Sequence, residues 1–278
     1  VSSLVQKADG TTEYFKVEKL RRSLRRAGAS SGEIQTIIAD VYGRLYDGIR
    51  TQEIYRFAFE RLRKTQITAA TRYSLRRALF ALGPTGFPFE RFLARLFATD
   101  GYTTVTGVTL PGHCVEHEID LACYSDTHSF IAEAKFHARP GVKTDLQVAM
   151  YSYARLHDLR DIKICAEDHC GVKNFWLITN TKFTSAAEKY ATCMGISLLS
   201  WDYPKRNNLH DRIQRAGIYP ITIMSTLTPA QLQTLIERDV ILCRDLLNNQ
   251  HILDNLHLTS TKRAAILAEA HDITTPRK

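Results

Sequence analysis

Two apolar segments with acids set into them, divided by a short polar turn, constrain this chain more than any other feature. The first reads Val115-Glu116-His117-Glu118-Ile119-Asp120-Leu121-Ala122, and the second Ser129-Phe130-Ile131-Ala132-Glu133-Ala134-Lys135. Ser125-Asp126-Thr127-His128 lies between them. Apolar runs of this length bounded by turn residues predict adjacent strands of a hairpin. Residues two apart on a strand share a face. Glu133 and Lys135 are therefore expected to point the same way, with Asp120 available from the neighbouring strand. A solvated strand pair is the plainer reading, but the run around Ile131 is too apolar to suit it. Burying a carboxylate and an ammonium is costly unless they are paired or coordinated. Two carboxylates and an ammonium at one point can hold a divalent cation and polarise a water, which is hydrolytic chemistry. Glu116 and Glu118 alternate with Val115 and Ile119 and are expected at the solvent edge, while His113 and His117 are expected to be structural.

The segments around this hairpin set the architecture. An amphipathic helix is expected over 87–97, on Phe89, Phe92, Leu93 and Leu96. A strand enters at Tyr102, a helix follows over 145–156, a buried strand over 175–180, a helix over 183–194 and a strand over 196–201. Helices and strands in this order describe an α/β/α sandwich with a mixed sheet.

Glu90 on the first helix, Asp120 on a strand, Glu133-Ala134-Lys135 on the next and Gln147-x-x-x-Tyr151 on the following helix form one ordered set. Over 87–204 this set resembles the restriction-endonuclease-like PD-(D/E)XK fold, particularly its Mrr-type branch. The stretch Ile178-Thr179-Asn180-Thr181-Lys182-Phe183-Thr184 is similar to the strand-to-helix segment of Mrr-type proteins. The resemblance implies a magnesium-dependent deoxyribonuclease. Asp120, Glu133 and the Ala134 carbonyl would ligate Mg²⁺ or Mn²⁺, hard ions that prefer oxygen. Lys135 would orient the attacking water or stabilise charge, and Glu90 would reach the metal directly or through water. Gln147 and Tyr151 lie one helical turn apart on a shared face and would position the phosphate or Lys135.

The first third of the chain has a different character. Residues 1–84 hold 16 Lys and Arg against 8 Asp and Glu, whereas the remainder balances at 21 and 21, so the net charge of +8 lies wholly in this part. A polyanion partner suits such a face, as does solvation alone. Val5 to Phe15 is expected to form a hairpin turning on Asp9-Gly10. Helices are expected over 18–27, over 34–45, from Thr51 as N-cap to about residue 63, and over 69–82. The pieces Val5-x-Lys7-x-Asp9-Gly10, Glu13-x-Phe15, Lys19-Leu20, Asp47-Gly48-Ile49-Arg50-Thr51 with Ile54, and Ala70-Thr71-Arg72-Tyr73 together resemble the ATP-cone over 3–84. The resemblance implies ATP or dATP as effector, held by Val5, Lys7, Lys19, Thr51 and Tyr55. Ammonium groups and helix N-termini suit a triphosphate. Ala8 stands where the cone usually carries a second basic residue.

The expected division is therefore a cone at 1–84, a nuclease-like domain at 85–204 and a helical region at 205–278, a multidomain α/β protein. The joint is expected at Gly83-Pro84-Thr85-Gly86. In the last region 205–226 reads as connecting structure. Helices are expected after Thr228-Pro229, near 243–247 and over 260–270. Leu253-x-x-Leu256-x-Leu258-x-x-x-Lys262 faintly resembles a helix-hairpin-helix but lacks its Gly-rich turn, which favours plain packing. Of the six cysteines only Cys165 and Cys170 lie close, and with no second pair reduced thiols are the expectation over zinc. No apolar run approaches a membrane span and Val1-Ser2-Ser3 opens no signal peptide, so the expected setting is cytoplasmic with no membrane partner. The expected partners are DNA and an adenine nucleotide, with a homo-oligomer allowed because cutting both strands commonly takes two sites. The competing expectation is a non-catalytic, nucleotide-sensing regulator that grips nucleic acid.

Overall fold

The computed structural model describes residues 3–164 and 171–275, so the Cys165–Cys170 spacing lies outside the described residues. The N-terminal unit opens with strands β1 (Leu4–Gln6) and β2 (Thr12–Tyr14), antiparallel as expected. A third strand, β3 (Ile49–Arg50), joins parallel to β1. Two residues carry too little alternation to be seen in the sequence. Helices α1 (Val17–Arg26), α2 (Ser31–Tyr42), α3 (Thr51–Thr65), α4 (Ile67–Tyr73) and α5 (Leu75–Phe80) complete the unit.

Each helix follows from local chemistry. In α1, Leu20 and Leu24 are four apart and both buried, while the arginines between them face outward. In α2, the backbone N–H of Glu33 donates to the hydroxyl of Ser30, the N-cap. Thr51 is the first helical residue of α3 rather than its cap, because β3 runs directly into the helix and Arg50 takes the cap position. The Arg50 N–H donates to the Glu53 carboxylate at 3.2 Å. The single helix expected over 69–82 is two, broken at Ser74, whose hydroxyl donates back to the carbonyl of Thr71 at 2.6 Å.

The central unit begins with α6 (Phe87–Thr99), followed by β4 (Thr103–Pro111), β5 (Glu116–Tyr124), β6 (Ser129–Lys135), β7 (Lys143–Thr144), α7 (Leu146–Asp158), β8 (Phe175–Thr179), β9 (Lys182–Phe183), α8 (Ser185–Met194) and β10 (Ser197–Leu199). Five strands form a mixed sheet in the order β10-β8-β6-β5-β4. The pairs among β4, β5 and β6 are antiparallel, and β6-β8 and β8-β10 are parallel. One sheet face packs on α6 and the C-terminal helices, the other on α7 and α8, which makes the α/β/α layering. A separate two-stranded pair, β7 with β9, ties the segment before α7 to the end of β8.

The last region is helical: α9 (Leu209–Ala216), α10 (Pro229–Glu237), α11 (Cys243–Asn248) and α12 (Ser260–Thr274). Helix α9 lies where only connecting structure was expected, and its eight residues bury Leu209 and Ile213. Helix α10 starts on a capping box between Thr228 and Gln231. Leu253 is buried, with Leu256 and Leu258 packed against the same core, in keeping with plain packing. That core also takes Leu75, Leu79 and Leu82 from the N-terminal unit and Phe89, Phe92 and Phe97 from α6. The C-terminal helices therefore bridge the other two units. Among the described residues no helix is long and apolar enough to cross a membrane.

Candidate active site

The β5–β6 ladder runs from Tyr124 opposite Ser129 to Leu121 opposite Ala132, and ends there. At the next position the N–H of Ala134 donates to Oδ2 of Asp120 at 2.7 Å, so a side chain stands in for a ladder acceptor. On the other flank of β5, Gly107 falls between the pairs Thr106–Leu121 and Val108–Ile119, opposite Asp120, with φ of 61°. That left-handed conformation is open to glycine at little cost. Leu121 packs into the core under α6, whereas Ile119 packs into the core under α7 and α8. Residues two apart ordinarily share a face, so β5 turns over at Asp120. The turn sets this carboxylate in the gap between diverging strands.

Glu133 and Lys135 sit across the gap on β6. Glu133 is buried, and each of its oxygens has a partner: Lys135 Nζ donates to Oε1 at 3.2 Å, and Arg155 Nη1 donates to Oε2. Glu90 approaches from α6, with an Oε1 that would lie 3.1 Å from a Cβ placed on Gly86. Burial raises the Asp120 carboxyl to about 6, and the charge of Glu133 adds to the rise. Burial likewise raises Glu90 to about 7, helped by Asp120, Glu118 and Glu133. Glu90 thus feels the charges of Asp120 and Glu133, and Asp120 that of Glu133, while Lys135 and Arg155 pair with Glu133. Among the described residues no three His, Cys, Asp or Glu side chains lie together as a ready metal-holding group. Asp120 and Glu133 offer two hard carboxylate donors across the gap, and a hard divalent cation there would need backbone or water oxygens to complete its shell.

Helix α7 brings the remaining residues. Gln147 is exposed in its first turn. Tyr151 is half exposed, and its ring centre lies 4.5 Å from the guanidinium carbon of Arg155. Arg155 was not expected. Its signal was present, since Gln147, Tyr151 and Arg155 repeat at four-residue spacing along one helical face. Asn180 was also missed as a supporting residue. Buried at the end of β8, it accepts from the His137 N–H and donates to the His137 carbonyl, both at 2.9 Å. It thereby fixes the chain that leaves Lys135. His117 and His113 are structural: the His117 Nε2 lies 2.7 Å from Asp158 and the His113 Nε2 lies 3.2 Å from the Arg160 carbonyl.

The residues expected at the cone's nucleotide site come partly together. Lys7 and Lys19 meet on the Glu13 carboxylate, at 3.2 and 2.5 Å. Thr51 is exposed at the start of α3, directly after β3, which pairs with β1. Val5 is a buried core residue. Tyr55 stacks between Phe59 and Tyr73, and its hydroxyl is buried without a partner. At the tip of the hairpin, a Cβ on Gly141 would lie 2.9 Å from the backbone nitrogen of Asp9. The cone thus touches the loop between Lys135 and α7.

Three family descriptions match consecutive parts of the chain: "ATP cone domain" over residues 3–79, "Restriction endonuclease" (Mrr_cat) over 84–203, and "AF1548-like, C-terminal" over 219–274. An uncharacterized protein of Archaeoglobus fulgidus is 37% identical over 182 residues, 65% of this chain and 99% of that relative. A crystal structure described as that of a protein of unknown function, AF1548, is similar at 35% identity with a TM-score of 0.56, covering 68% of this chain and 98% of that one. An ATP cone, a restriction-endonuclease-like sandwich and a helical C-terminal domain therefore follow one another along the sequence. The chain belongs to the AF1548-like family of restriction-endonuclease-like proteins, with an ATP cone at its N-terminal end.

Proposed function

We propose that this protein is a metal-dependent endonuclease that hydrolyses DNA phosphodiester bonds, and that ATP or dATP on the cone gates it. The observation that carries the reading is the gap at Asp120, where the Asp120 and Glu90 carboxyls are raised by burial and by neighbouring carboxylate charge, and Glu133 pairs with Lys135. Mg²⁺ or Mn²⁺ held by Asp120, Glu133 and the Ala134 carbonyl would supply Lewis acidity toward the phosphate and a more acidic water. Lys135 supplies positive charge at the gap and a donor for the attacking water. Arg155 pairs with the buried Glu133 carboxylate and fixes its orientation. Glu90, with its raised proton affinity, is suited to hold a proton near the leaving oxygen. Asn180 keeps Lys135 in place through His137. Tyr151 and Gln147 line the open side, where a phosphate backbone would pass. Gating is supported by the Asp9–Gly141 contact, which joins the cone hairpin to the loop behind Lys135.

A second reading, a non-catalytic regulator that grips nucleic acid, draws on the two cations already bound to Glu133. Incubation of the full chain with plasmid DNA and Mg²⁺ or Mn²⁺, with and without ATP or dATP, separates the two. Cleavage that vanishes with chelator and in Lys135→Ala supports the nuclease. DNA retention without cleavage in the wild type, unchanged in Lys135→Ala, supports the regulator.

A further inference from the structure

A second cluster of charge lies away from the carboxylate gap, at the seam between the cone and the sandwich. A cavity of about 250 Å³ opens between α1, the α4–α5 segment and the chain that follows β10. Arg22 and Arg26 line it from α1, Arg72 and Arg76 from α4–α5, and Trp201 and His210 from the far wall. With Lys19 it holds five basic side chains and one carboxylate, Asp202.

The partners of these groups leave the cavity short of negative charge. Asp202 is engaged by Lys182 at 2.7 Å, outside the cavity lining. Arg26 pairs with Asp211 at 3.4 Å and Lys19 with Glu13 at 2.5 Å. Arg72 gives one nitrogen to the Thr275 carbonyl at 3.1 Å and otherwise stands over the Tyr219 ring. Arg76 lies between the rings of Phe80 and Trp201. The Nε atoms of Arg72 and Arg76 are both buried with no hydrogen-bond partner. Burial lowers the proton affinity of Arg76, offset only in part by the charge of Asp202, which Lys182 also holds. Buried guanidinium N–H groups left without an acceptor are costly, and an anion in the cavity removes the cost.

We propose that this seam cavity is a binding site for the phosphates of a small polyphosphate, distinct from the cone's nucleotide site and shared between the cone and the nuclease-like domain. It has only Lys19 in common with the residues expected at the cone site, and none from the hairpin or α3. A cavity of about 250 Å³ admits a short chain of phosphates but not a duplex. The neighbouring rings already have partners: Tyr73 stacks on Tyr55, and Trp201 is met by Arg76 and His210. The basic side chains that line the cavity recognise phosphate. Bound anion would draw Arg22 and Arg76 of the cone side toward His210 of the other wall and clamp the two units together.

The test is calorimetric titration and thermal melting of the full chain with inorganic tripolyphosphate, ATP and GTP. Wild type is expected to bind tripolyphosphate and to melt several degrees higher at saturation. Arg22→Ala, on the exposed rim, and Arg76→Met, in the cavity, are each expected to weaken tripolyphosphate binding at least tenfold (about 1.4 kcal/mol). Arg76→Met removes a buried Nε that has no hydrogen-bond partner, so its ligand-free melting point is not expected to fall. Lys7→Ala, on the hairpin, is expected to bind tripolyphosphate as wild type does. Absence of tripolyphosphate binding to wild type overturns the proposal. So does undiminished binding by both arginine variants, or a loss in Lys7→Ala as large as in Arg76→Met, which would move the anion to the hairpin.

Discussion

Arg155 on α7 and Glu133 on β6 form an ion pair closed off from solvent, directly beside the ammonium of Lys135. A buried pair is worth little against a well-packed apolar replacement, but losing one partner strands the other. Arg155→Met leaves Glu133 with Lys135 alone and is expected to destabilise the protein by roughly 3–5 kcal/mol in chemical denaturation. Adding Glu133→Gln to that variant is expected to recover most of the loss. A double variant no more stable than the single would show that the arginine acts through packing.

Asp120 is held ionised against burial and against Glu133. A group whose folded value is raised stabilises the protein only while protonated, so wild-type stability should fall as pH rises through about 6. Asp120→Asn keeps an oxygen to accept the Ala134 N–H but carries no charge. It is expected to be more stable than wild type at neutral pH by on the order of 2 kcal/mol. It is also expected to lose divalent-cation binding and DNA cleavage. Melting curves at neutral and mildly acidic pH, where the difference should shrink, check the first part.

The opposite sign holds at Asp158, which accepts from His117, from the Cys114 N–H at 2.7 Å and from the Val115 N–H at 3.2 Å. The His117 bond is the largest cause that holds its carboxyl well below the usual range. Its stabilisation is complete above the ordinary carboxylate value and is lost as pH falls through the folded one. Asp158→Asn should therefore melt below wild type at neutral pH and converge with it in acid. Parallel curves across the whole range would exclude this carboxylate as the cause.

Gly141 has φ of 97° and abuts the Asp9 backbone, while Gly10 has φ of 81° with nothing within 4 Å of an added Cβ. Gly10→Ala should cost roughly 1–2 kcal/mol, the penalty of a left-handed alanine. Gly141→Ala should cost more, because the cone hairpin must also move. It should further blunt any effect of ATP or dATP on cleavage, which Gly10→Ala should leave in place. Equal costs for the two variants would show that the contact yields freely.

Much of this arrangement is written in local sequence. Acids within apolar runs fixed the β5–β6 hairpin, since Glu133 and Lys135 must share a face at a spacing of two. Four-residue repeats fixed α1 and α7, and Thr228 with Gln231 fixed the start of α10. What the sequence could not carry is whatever depends on distant segments meeting. The strand β3 exists because two residues pair with β1 across more than forty positions, and α9 because Leu209 and Ile213 find the core beneath α6. Arg155 becomes the partner of Glu133 only once α7 lies on the sheet. The seam cavity needs α1, α4–α5 and the chain after β10 at once. Periodicity reports which face of an element is apolar, but long-range packing alone decides which charges that face brings together.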